Sequence, residues 1–274
     1  MNPGAIDRPL IMGILNVTPD SFSDGGRFLG ADAAFRQARR MIEEGADLID
    51  VGGESTRPGS ERVPAAEQLR RVLPVVEAIR EAFPAGTGIS IDTTSAEVAA
   101  RALDAGASII NDVSAGQEDP QMFALACERR VPIVLMHMQG QPATMQNDPR
   151  YADVVAEVRD FLLDRAGAAV AAGIRREDIV IDPGIGFGKG REHNLQLLAG
   201  LDSLVETGFA VLLGTSRKRF MGSICKVDRY ADLEGATCAT TALGVLAGVK
   251  IFRVHDVRAN RQALDVAWAV VSER

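Results

Sequence analysis

Cysteine is scarce in this sequence, and its spacing forms no pairs. Cys127, Cys225 and Cys238 are an odd number, and no two of them make a Cys-x-x-Cys motif. That count and spacing argue against a disulfide framework and against a cysteine-built metal site. We therefore expect reduced thiols and a cytoplasmic location.

The sequence also lacks an excess of basic charge and any long apolar run. Its formal net charge of −7 opposes a general attraction to nucleic acid or to anionic membranes, so an anionic ligand needs a local basic cluster. No run approaches the ~20 apolar residues of a membrane span, and the first residues lack the apolar core of a signal peptide. We expect neither a nucleic-acid nor a membrane partner.

Several familiar catalytic motifs are missing too. His137, His193 and His255 lie in different segments without His-x-x-x-His spacing, which argues against a protein-built zinc site. No Gly-x-Ser-x-Gly elbow occurs. In the glycine-rich stretch after Asp182, Lys189 is followed by Gly190 where a phosphate-binding Walker motif needs Ser or Thr. We expect these glycines to let the backbone approach a ligand beside Asp182.

What the sequence does contain is eight short apolar runs that alternate with helical patterns. The predicted strands are 10–15, 48–52, 88–92, 108–112, 131–137, 178–182, 209–214 and 250–254. Helices are predicted over 31–45, 64–83, 95–105, 120–130, 151–172, 193–207 and 257–271, with a further helical segment opening at 216–218. Eight βα units without a linker predict one domain over residues 1–274 and close a TIM barrel; an open doubly wound sheet is the alternative.

Polar residues end or follow these strands, where a barrel has its active site. Any one of them is more often a cap or a turn former, but a ring converging on one mouth points to a site. The ring comprises Asn16, Asp50, Asp92, Asn111, Asp112, His137, Asp182, Ser216, Lys218, Arg253 and His255.

The ring divides into two chemistries. Asp92, Asn111 and Asp182 with Lys218 suit a flat heterocycle that carries N–H donors and a carbonyl. A basic subset suits a phosphate-bearing ligand, although Arg217 and Arg219 could equally be solvated at a helix start. That subset is Arg217, Lys218, Arg219, Arg253 and His255. Mg²⁺, which arrives with substrate phosphates and needs few protein ligands, could use the Asn16 side chain.

Two connections after strands are too long for ordinary βα loops of about 2 to 6 residues. One follows Asn16 and runs to Gly26, and the other runs from Gly53 to Ser60. We interpret both as functional loops that close over the barrel mouth.

Six ordered blocks make the chain resemble bacterial dihydropteroate synthases over nearly its whole length. The first block is also the most specific. The blocks are residues 14–26 (ILNVTPDSFSDGG), 50–59 (DVGGESTRPG), 111–114 (NDVS), 182–189 (DPGIGFGK), 214–218 (GTSRK) and 253–257 (RVHDV).

The resemblance implies a TIM barrel that condenses 6-hydroxymethyl-7,8-dihydropterin pyrophosphate with p-aminobenzoate, giving 7,8-dihydropteroate and pyrophosphate. It implies pterin contacts from Asp92, Asn111, Met136, Asp182, Phe187, Gly214 and Lys218. It implies pyrophosphate contacts from Asn16, Arg253 and His255, with Asn16 as the Mg²⁺ ligand. It implies a p-aminobenzoate pocket of Phe22, Thr56, Pro58, Lys218 and Arg219, and catalytic roles for Asn16, Asp92, Lys218, Arg253 and His255.

Arg219 departs from the family pattern. Many members have Ser at this position, where it helps to receive the p-aminobenzoate carboxylate. A guanidinium here could pair with that carboxylate, or it could point to solvent and leave the contact to backbone N–H groups. The role of Arg219 stays open.

Two rival functions remain. A methyltetrahydrofolate:corrinoid methyltransferase-like enzyme would share the pterin floor but has no use for a pyrophosphate clamp at Arg253 and His255. A pterin-binding protein without catalysis would bind the pterin and release nothing. The resemblance also implies a homodimer through the last helices. Ala263, Val266, Ala267 and Val270 could pack there, although at least half of them are expected to face the barrel.

Overall fold

Eight short parallel strands pair in sequence order, and the last pairs with the first. This computed structural model describes residues 3–18, 27–55, 62–83, 86–141 and 144–273. The sheet is a closed barrel ordered β1-β2-β3-β4-β5-β6-β7-β8, and Leu10 opposite Ile251 closes the circle. The strands are β1 (Leu10–Asn16), β2 (Leu48–Gly52), β3 (Gly88–Asp92), β4 (Ile109–Asp112), β5 (Ile133–Met136), β6 (Ile179–Asp182), β7 (Ala210–Leu213) and β8 (Ile251–Val254). The predicted TIM barrel is confirmed.

The strands are buried on both faces because helices surround the barrel while side chains fill its interior. The interior cluster consists of Met12, Leu48, Ile109, Val134, Val180, Ala210, Leu212 and Ile251. A larger cluster lies between the sheet and the helices. Side chains alternate between these two clusters along each strand. This alternation decides which side chains point into the barrel and toward its carboxyl-end mouth.

The helices occupy the connections that the sequence predicts. They are α1 (Arg27–Glu43), α2 (Ala65–Ala82), α3 (Ala96–Asp104), α4 (Met122–Arg129), α5 (Val154–Ala171), α6 (Arg191–Ala199), α7 (Leu201–Val205), α8 (Arg219–Cys225), α9 (Glu234–Ala247) and α10 (Val257–Ser272). The predicted Ser95 cap of α3 is confirmed, because its hydroxyl accepts from the Val98 N–H at 3.4 Å.

Three helical predictions are wrong in detail. Helix α1 begins at Arg27 and runs through Gly30, a weak helix former that hides its start in the sequence. The predicted helix 193–207 is two helices, α6 and α7, separated at Gly200. Helix α9 was not predicted separately, because its sequence is rich in threonine and small residues.

Threonine side chains tie α9 into the structure. The Thr237 hydroxyl donates to the Leu233 carbonyl at 2.9 Å, and Thr241 donates to Asn260 of α10 at 2.7 Å. Thr240 pairs at 2.7 Å with Thr215, which follows β7. These bonds anchor the segment that carries Ser216 to Lys218.

None of the helices in the described part of the chain combines the length and the apolarity that crossing a membrane requires. The observation concerns those residues alone.

Candidate active site

The predicted strand-end residues meet at one mouth of the barrel. Asp92 of β3 lies opposite Asn111 of β4, and Met136 of β5 lies opposite Asp182 of β6. Asp92, Asn111, Met136 and Asp182 are buried, whereas Asn16 is half-buried. Because all strands are parallel, their carboxyl ends lie at the same face of the barrel.

Arg253 lies at the centre of this mouth, between two carboxylates. Its Nε donates to Asp50 Oδ2 at 2.6 Å, and its Nη2 donates to Asp92 Oδ2 at 2.7 Å. Burial opposes the charge, but Asp50 and Asp92 outweigh it and raise the pKa of Arg253. The guanidinium therefore remains protonated.

Asp92 and Asp182 have perturbed acidity. Burial, reinforced by Asp50 and opposed by Arg253, raises the pKa of Asp92 to about 7. Burial also raises the pKa of Asp182 to about 6, although the Gly184 N–H donates to its Oδ1 at 2.7 Å. Both carboxyl groups can therefore change protonation near neutral pH, which is typical of functional sites.

Lys218 reaches the same space from the residue before α8. Its ammonium nitrogen lies 3.8 Å from the centroid of the Phe187 ring. Burial lowers the pKa of Lys218 to about 8. Gly186 makes room for this side chain, because a Cβ atom added there would lie 2.9 Å from Lys218 Cδ.

The glycine-rich turn after β6 is organised by Lys189, which points inward. Its buried amine donates to the carbonyls of Gly184 at 3.0 Å and Phe187 at 2.9 Å, and it lies 2.8 Å from His137 Nδ1. Burial lowers the pKa of Lys189 to about 7. This lysine holds the turn rather than a phosphate.

Two of these glycines are required by a close approach within the protein itself, and the approach of this turn to a ligand stays a prediction. A Cβ atom added at Gly184 would lie 1.9 Å from the His137 carbonyl oxygen, and one at Gly188 would lie 2.2 Å from the Gln139 carbonyl oxygen. Both have positive φ, of 64° and 59°. The close approach that requires glycine at these two positions is between two protein segments.

Ser216 orients His255 after β8. The Ser216 hydroxyl oxygen lies 3.1 Å from the backbone nitrogen of His255 and 3.0 Å from its Nδ1. Since a backbone N–H only donates, the hydroxyl accepts from it and can give its own proton to Nδ1. These two contacts hold the imidazole ring in one orientation at the barrel mouth.

The predicted basic subset does not act as one group. Arg217 makes a two-point ion pair with Asp256 at 2.6 and 3.1 Å, so its charge is already paired within the protein. Arg219 begins α8 with an exposed side chain. Lys218, Arg253 and His255 remain the cationic or donor groups of the mouth.

Asn16 fits the requirements of a metal that brings most of its own ligands. Gly52 lies beside it, and a Cβ atom added there would lie 3.7 Å from both Asn16 Oδ1 and Asp92 Oδ2. The missing side chain therefore leaves a cradle between these oxygens. No group of three or more His, Cys, Asp or Glu residues able to hold a metal occurs in the ranges that the structure describes. One amide oxygen together with substrate phosphates suits Mg²⁺.

Some predicted residues lie outside the described part of the chain, and the structure gives Asp50 a role that the sequence does not predict. Phe22, Thr56 and Pro58 lie outside the described residues. Asp50 was predicted only as a member of the ring, yet its carboxylate contacts both Arg253 and Asn111. The signal was present in the sequence, because Asp50 is two residues from Leu48 and so shares its interior-facing side of β2.

A family model described as "Pterin binding enzyme" matches residues 12–255. The chain belongs to the pterin-binding enzyme family. The dihydropteroate synthase of Synechocystis sp. is 45% identical over 263 residues, covering 96% of this chain and 90% of that relative.

Solved structures of this family carry ligands that match the predicted chemistry. The Xanthomonas albilineans dihydropteroate synthase with 4-aminobenzoic acid has a TM-score of 0.90 and 46% identity, covering 97% of this chain and 94% of that one. The same enzyme in complex with 7,8-dihydropteroate has a TM-score of 0.87 and 44% identity, covering 98% and 95%. The resemblance to dihydropteroate synthases is confirmed.

Proposed function

We propose that this chain condenses 6-hydroxymethyl-7,8-dihydropterin pyrophosphate with p-aminobenzoate to give 7,8-dihydropteroate and pyrophosphate, a step of folate biosynthesis. The observation that carries the proposal is one barrel mouth that joins acceptors for a heterocycle to Arg253 and His255. Family membership and the ligands of the Xanthomonas albilineans enzyme support it.

The pterin is proposed to lie between β3, β4 and β6. Asp92, Asn111 and Asp182 offer acceptors to its N–H groups, and Lys218 offers a donor to its carbonyl. Met136, Phe187 and Gly214 form the surrounding wall. The contact between Lys218 and Phe187 keeps the ammonium group at the edge of this slot.

The pyrophosphate is proposed to bind at Arg253 and His255, with Mg²⁺ held by Asn16. The two carboxylate contacts use two of the five N–H groups of a guanidinium, so Arg253 has donors left for phosphate oxygens. The chemistry that a bound Mg²⁺ supplies is charge neutralisation on the leaving pyrophosphate.

The p-aminobenzoate pocket is proposed to comprise Phe22, Thr56, Pro58, the base of Lys218, and Arg219. The exposed position of Arg219 at the start of α8 is compatible with a carboxylate contact from either its guanidinium or the adjacent backbone N–H groups.

The proposed mechanism is dissociative. Arg253 and His255 stabilise the charge that grows on pyrophosphate as the carbon–oxygen bond breaks and its electron pair leaves with oxygen. The electron-rich pterin carries the resulting cation on its exocyclic carbon, and the charges of Asp92 and Asp182 favour it. The neutral aryl amine then forms the carbon–nitrogen bond and loses its proton, so the protein needs no strong general base.

The direct test is product stoichiometry. Purified protein given both substrates and Mg²⁺ should form dihydropteroate and pyrophosphate in equal amounts, measured by chromatography and a coupled pyrophosphate assay. A methyltransferase-like enzyme would release no pyrophosphate. Pterin binding without product would leave only a binding protein, and either result overturns the proposal.

Binding of the pterin should depend on pH in both directions. Affinity should fall below pH about 6, because Asp182 then gains a proton and stops accepting, with Asp92 contributing from about 7. It should also fall above pH about 8, where Lys218 loses its positive charge and donates a weaker hydrogen bond. Calorimetry with the phosphate-free hydroxymethyl dihydropterin from about pH 5.5 to 9.5 tests both limbs.

Lys218→Arg is the matched variant for the alkaline limb. A guanidinium stays protonated throughout this range, so the fall in affinity above pH about 8 should disappear while the acid limb remains. An affinity that is level across the whole range in the wild type would refute these protonation assignments.

A homodimer through α9 and α10 is also proposed. Val266 is 67% exposed and Val270 is 51% exposed, and Leu246 of α9 lies beside them. A groove of about 580 Å³ runs between the two helices. Ala267 is buried against the barrel and Ala263 is half-buried, so only part of the predicted set faces outward.

Replacing both Val266 and Val270 with Glu should yield monomers, because charges would be desolvated in the apolar interface. Analytical ultracentrifugation should give twice the 29.2 kDa chain mass for the wild type and the single mass for the variant. Leu163→Glu is the control on a different helix, at a residue 39% exposed. A wild type that is monomeric at all concentrations would contradict the proposal.

A cytoplasmic location is proposed as well. Cys127, Cys225 and Cys238 are all free thiols in the structure, as expected in a reducing compartment.

A further inference from the structure

We infer that Asp50 is a positioning residue of the active site, which aims the Arg253 guanidinium and fixes which atom of the Asn111 amide faces the pterin. The inference rests on the proposed function for its consequence in catalysis. The orientation of Arg253 and Asn111 by Asp50 is argued from contacts within the barrel alone.

Asp50 lies in the middle of β2 with its side chain inside the barrel. It is completely buried, and its neighbours in register are Ile14 on β1 and Ser90 on β3. Leu48 and Gly52 lie two residues away on the same side of the strand. A carboxylate at this point caps no helix and faces no solvent.

One oxygen of Asp50 serves two functional residues. Its Oδ2 accepts from Arg253 Nε at 2.6 Å and from Asn111 Nδ2 at 3.1 Å. Its Oδ1 is buried and has no hydrogen-bond partner among the residues that the structure describes. Since an unpartnered buried carboxylate oxygen destabilises a fold, packing alone does not account for an aspartate here.

The contact with Asn111 sets the orientation of its amide. A carboxylate oxygen only accepts, so the NH₂ arm of Asn111 must face Asp50 and the carbonyl arm must face the other way. Asn111 is the register neighbour of Asp92. The pterin edge therefore meets two adjacent acceptors and not one acceptor beside a donor.

The contact with Arg253 sets the plane of the guanidinium. Asp50 holds the Nε edge while Asp92 holds Nη2, and the two bonds are 2.6 and 2.7 Å long. A planar group fixed along one edge and at one Nη cannot rotate about its long axis. The remaining N–H groups are thereby presented in a constant direction toward the proposed pyrophosphate site.

Asp50→Asn is the sharpest variant, because it keeps the shape and removes the acceptor-only character. An asparagine carries no charge, so it removes the ion pair with Arg253. With its oxygen at the Oδ2 position it leaves only neutral hydrogen bonds to Arg253 Nε and Asn111 Nδ2, and with its NH₂ arm there donor faces donor. The matched control is Ser90→Ala at the neighbouring register position, whose buried hydroxyl oxygen has no hydrogen-bond partner within the described ranges.

Two measurements test the inference. NMR of the ligand-free protein should show a slowly exchanging Nε–H signal of Arg253 in the wild type and in Ser90→Ala, and its loss in Asp50→Asn. The signal should be absent from Arg253→Lys, which assigns it to Arg253. In the second measurement, kcat/KM for the pterin substrate should fall about 10- to 100-fold in Asp50→Asn and stay within about twofold in Ser90→Ala.

The two readouts separate this inference from the proposed function. If the wild type shows no turnover, the proposed function is wrong, and the Nε–H signal of Arg253 still tests the positioning role of Asp50. An unchanged signal or an unchanged kcat/KM in Asp50→Asn overturns the positioning role while the function stands. If Asp50→Asn does not fold, Asp50→Ala removes the carboxylate altogether and carries the same expectations.

Discussion

Arg253→Ala is expected to slow pyrophosphate release about 10²- to 10³-fold at saturating substrates. The affinity for the free pterin should fall much less. The reason is that Arg253 is proposed to stabilise charge which develops only as the carbon–oxygen bond breaks, whereas a phosphate-free pterin has no such charge. Single-turnover release of pyrophosphate and calorimetric binding of hydroxymethyl dihydropterin measure the two quantities separately.

The choice of pH and of variants matters for this test. Arg253 lowers the pKa of Asp92, so its removal should raise that pKa and protonate Asp92 near neutrality. Measurements near pH about 8 reduce this effect. Arg253→Lys keeps a positive charge but not the planar fork, and it should also release pyrophosphate slowly.

Arg261→Ala is the matched control for the loss of a buried guanidinium. Arg261 also joins two carboxylates, donating to Asp47 at 3.0 Å and to Asp265 at 2.9 Å. Asp47 directly precedes β2, so this pair lies at the opposite end of the barrel. The variant should lose stability without slowing turnover. Equal losses of pterin affinity and of release rate in Arg253→Ala would contradict the assignment.

Asp182→Asn is expected to weaken pterin binding about 30- to 10³-fold, as when one partner of a buried charged hydrogen bond is removed. The Gly184 N–H donates to Asp182 Oδ1 at 2.7 Å and needs an oxygen acceptor. The asparagine amide would therefore turn its oxygen to Gly184 and its NH₂ into the slot. Donor would then face donor at the proposed pterin site.

Calorimetry near pH about 8 is the appropriate measurement, because Asp182 with a pKa of about 6 is then ionised in the wild type. Asp178→Asn is the control at the other end of β6. Asp178 is buried and pairs with Arg175, so its change should lower stability and leave pterin affinity unchanged. A loss of affinity in Asp182→Asn smaller than about threefold would remove Asp182 from the pterin site.

The strand-end ring could be predicted from two simple features of the sequence. Buried strands read as apolar runs, and the first polar residue after each run lies at the carboxyl end of the barrel. Asp92, Asn111, Asp182 and Arg253 follow from that rule alone. Their convergence needs only closure of the sheet, which the structure provides.

Pairing within the ring could not be predicted from the same rule. The apolar run that contains Asp50 identifies a strand but does not say that Arg253 crosses the barrel to reach it. Lys189 likewise follows several glycines, as a phosphate-binding lysine would, yet packing against His137 turns it inward. Contacts between residues far apart in sequence depend on the closed barrel, which local pattern does not contain.

The most direct measurement of the central claim is a crystal structure of the wild type with 6-hydroxymethyl-7,8-dihydropterin pyrophosphate and Mg²⁺, without p-aminobenzoate. The account predicts pterin N–H groups within about 3 Å of Asp182 and the Asn111 carbonyl oxygen, and phosphate oxygens at Arg253 and His255. A pterin bound outside the barrel mouth, or a pyrophosphate lying on the glycine-rich turn away from Arg253, would contradict it.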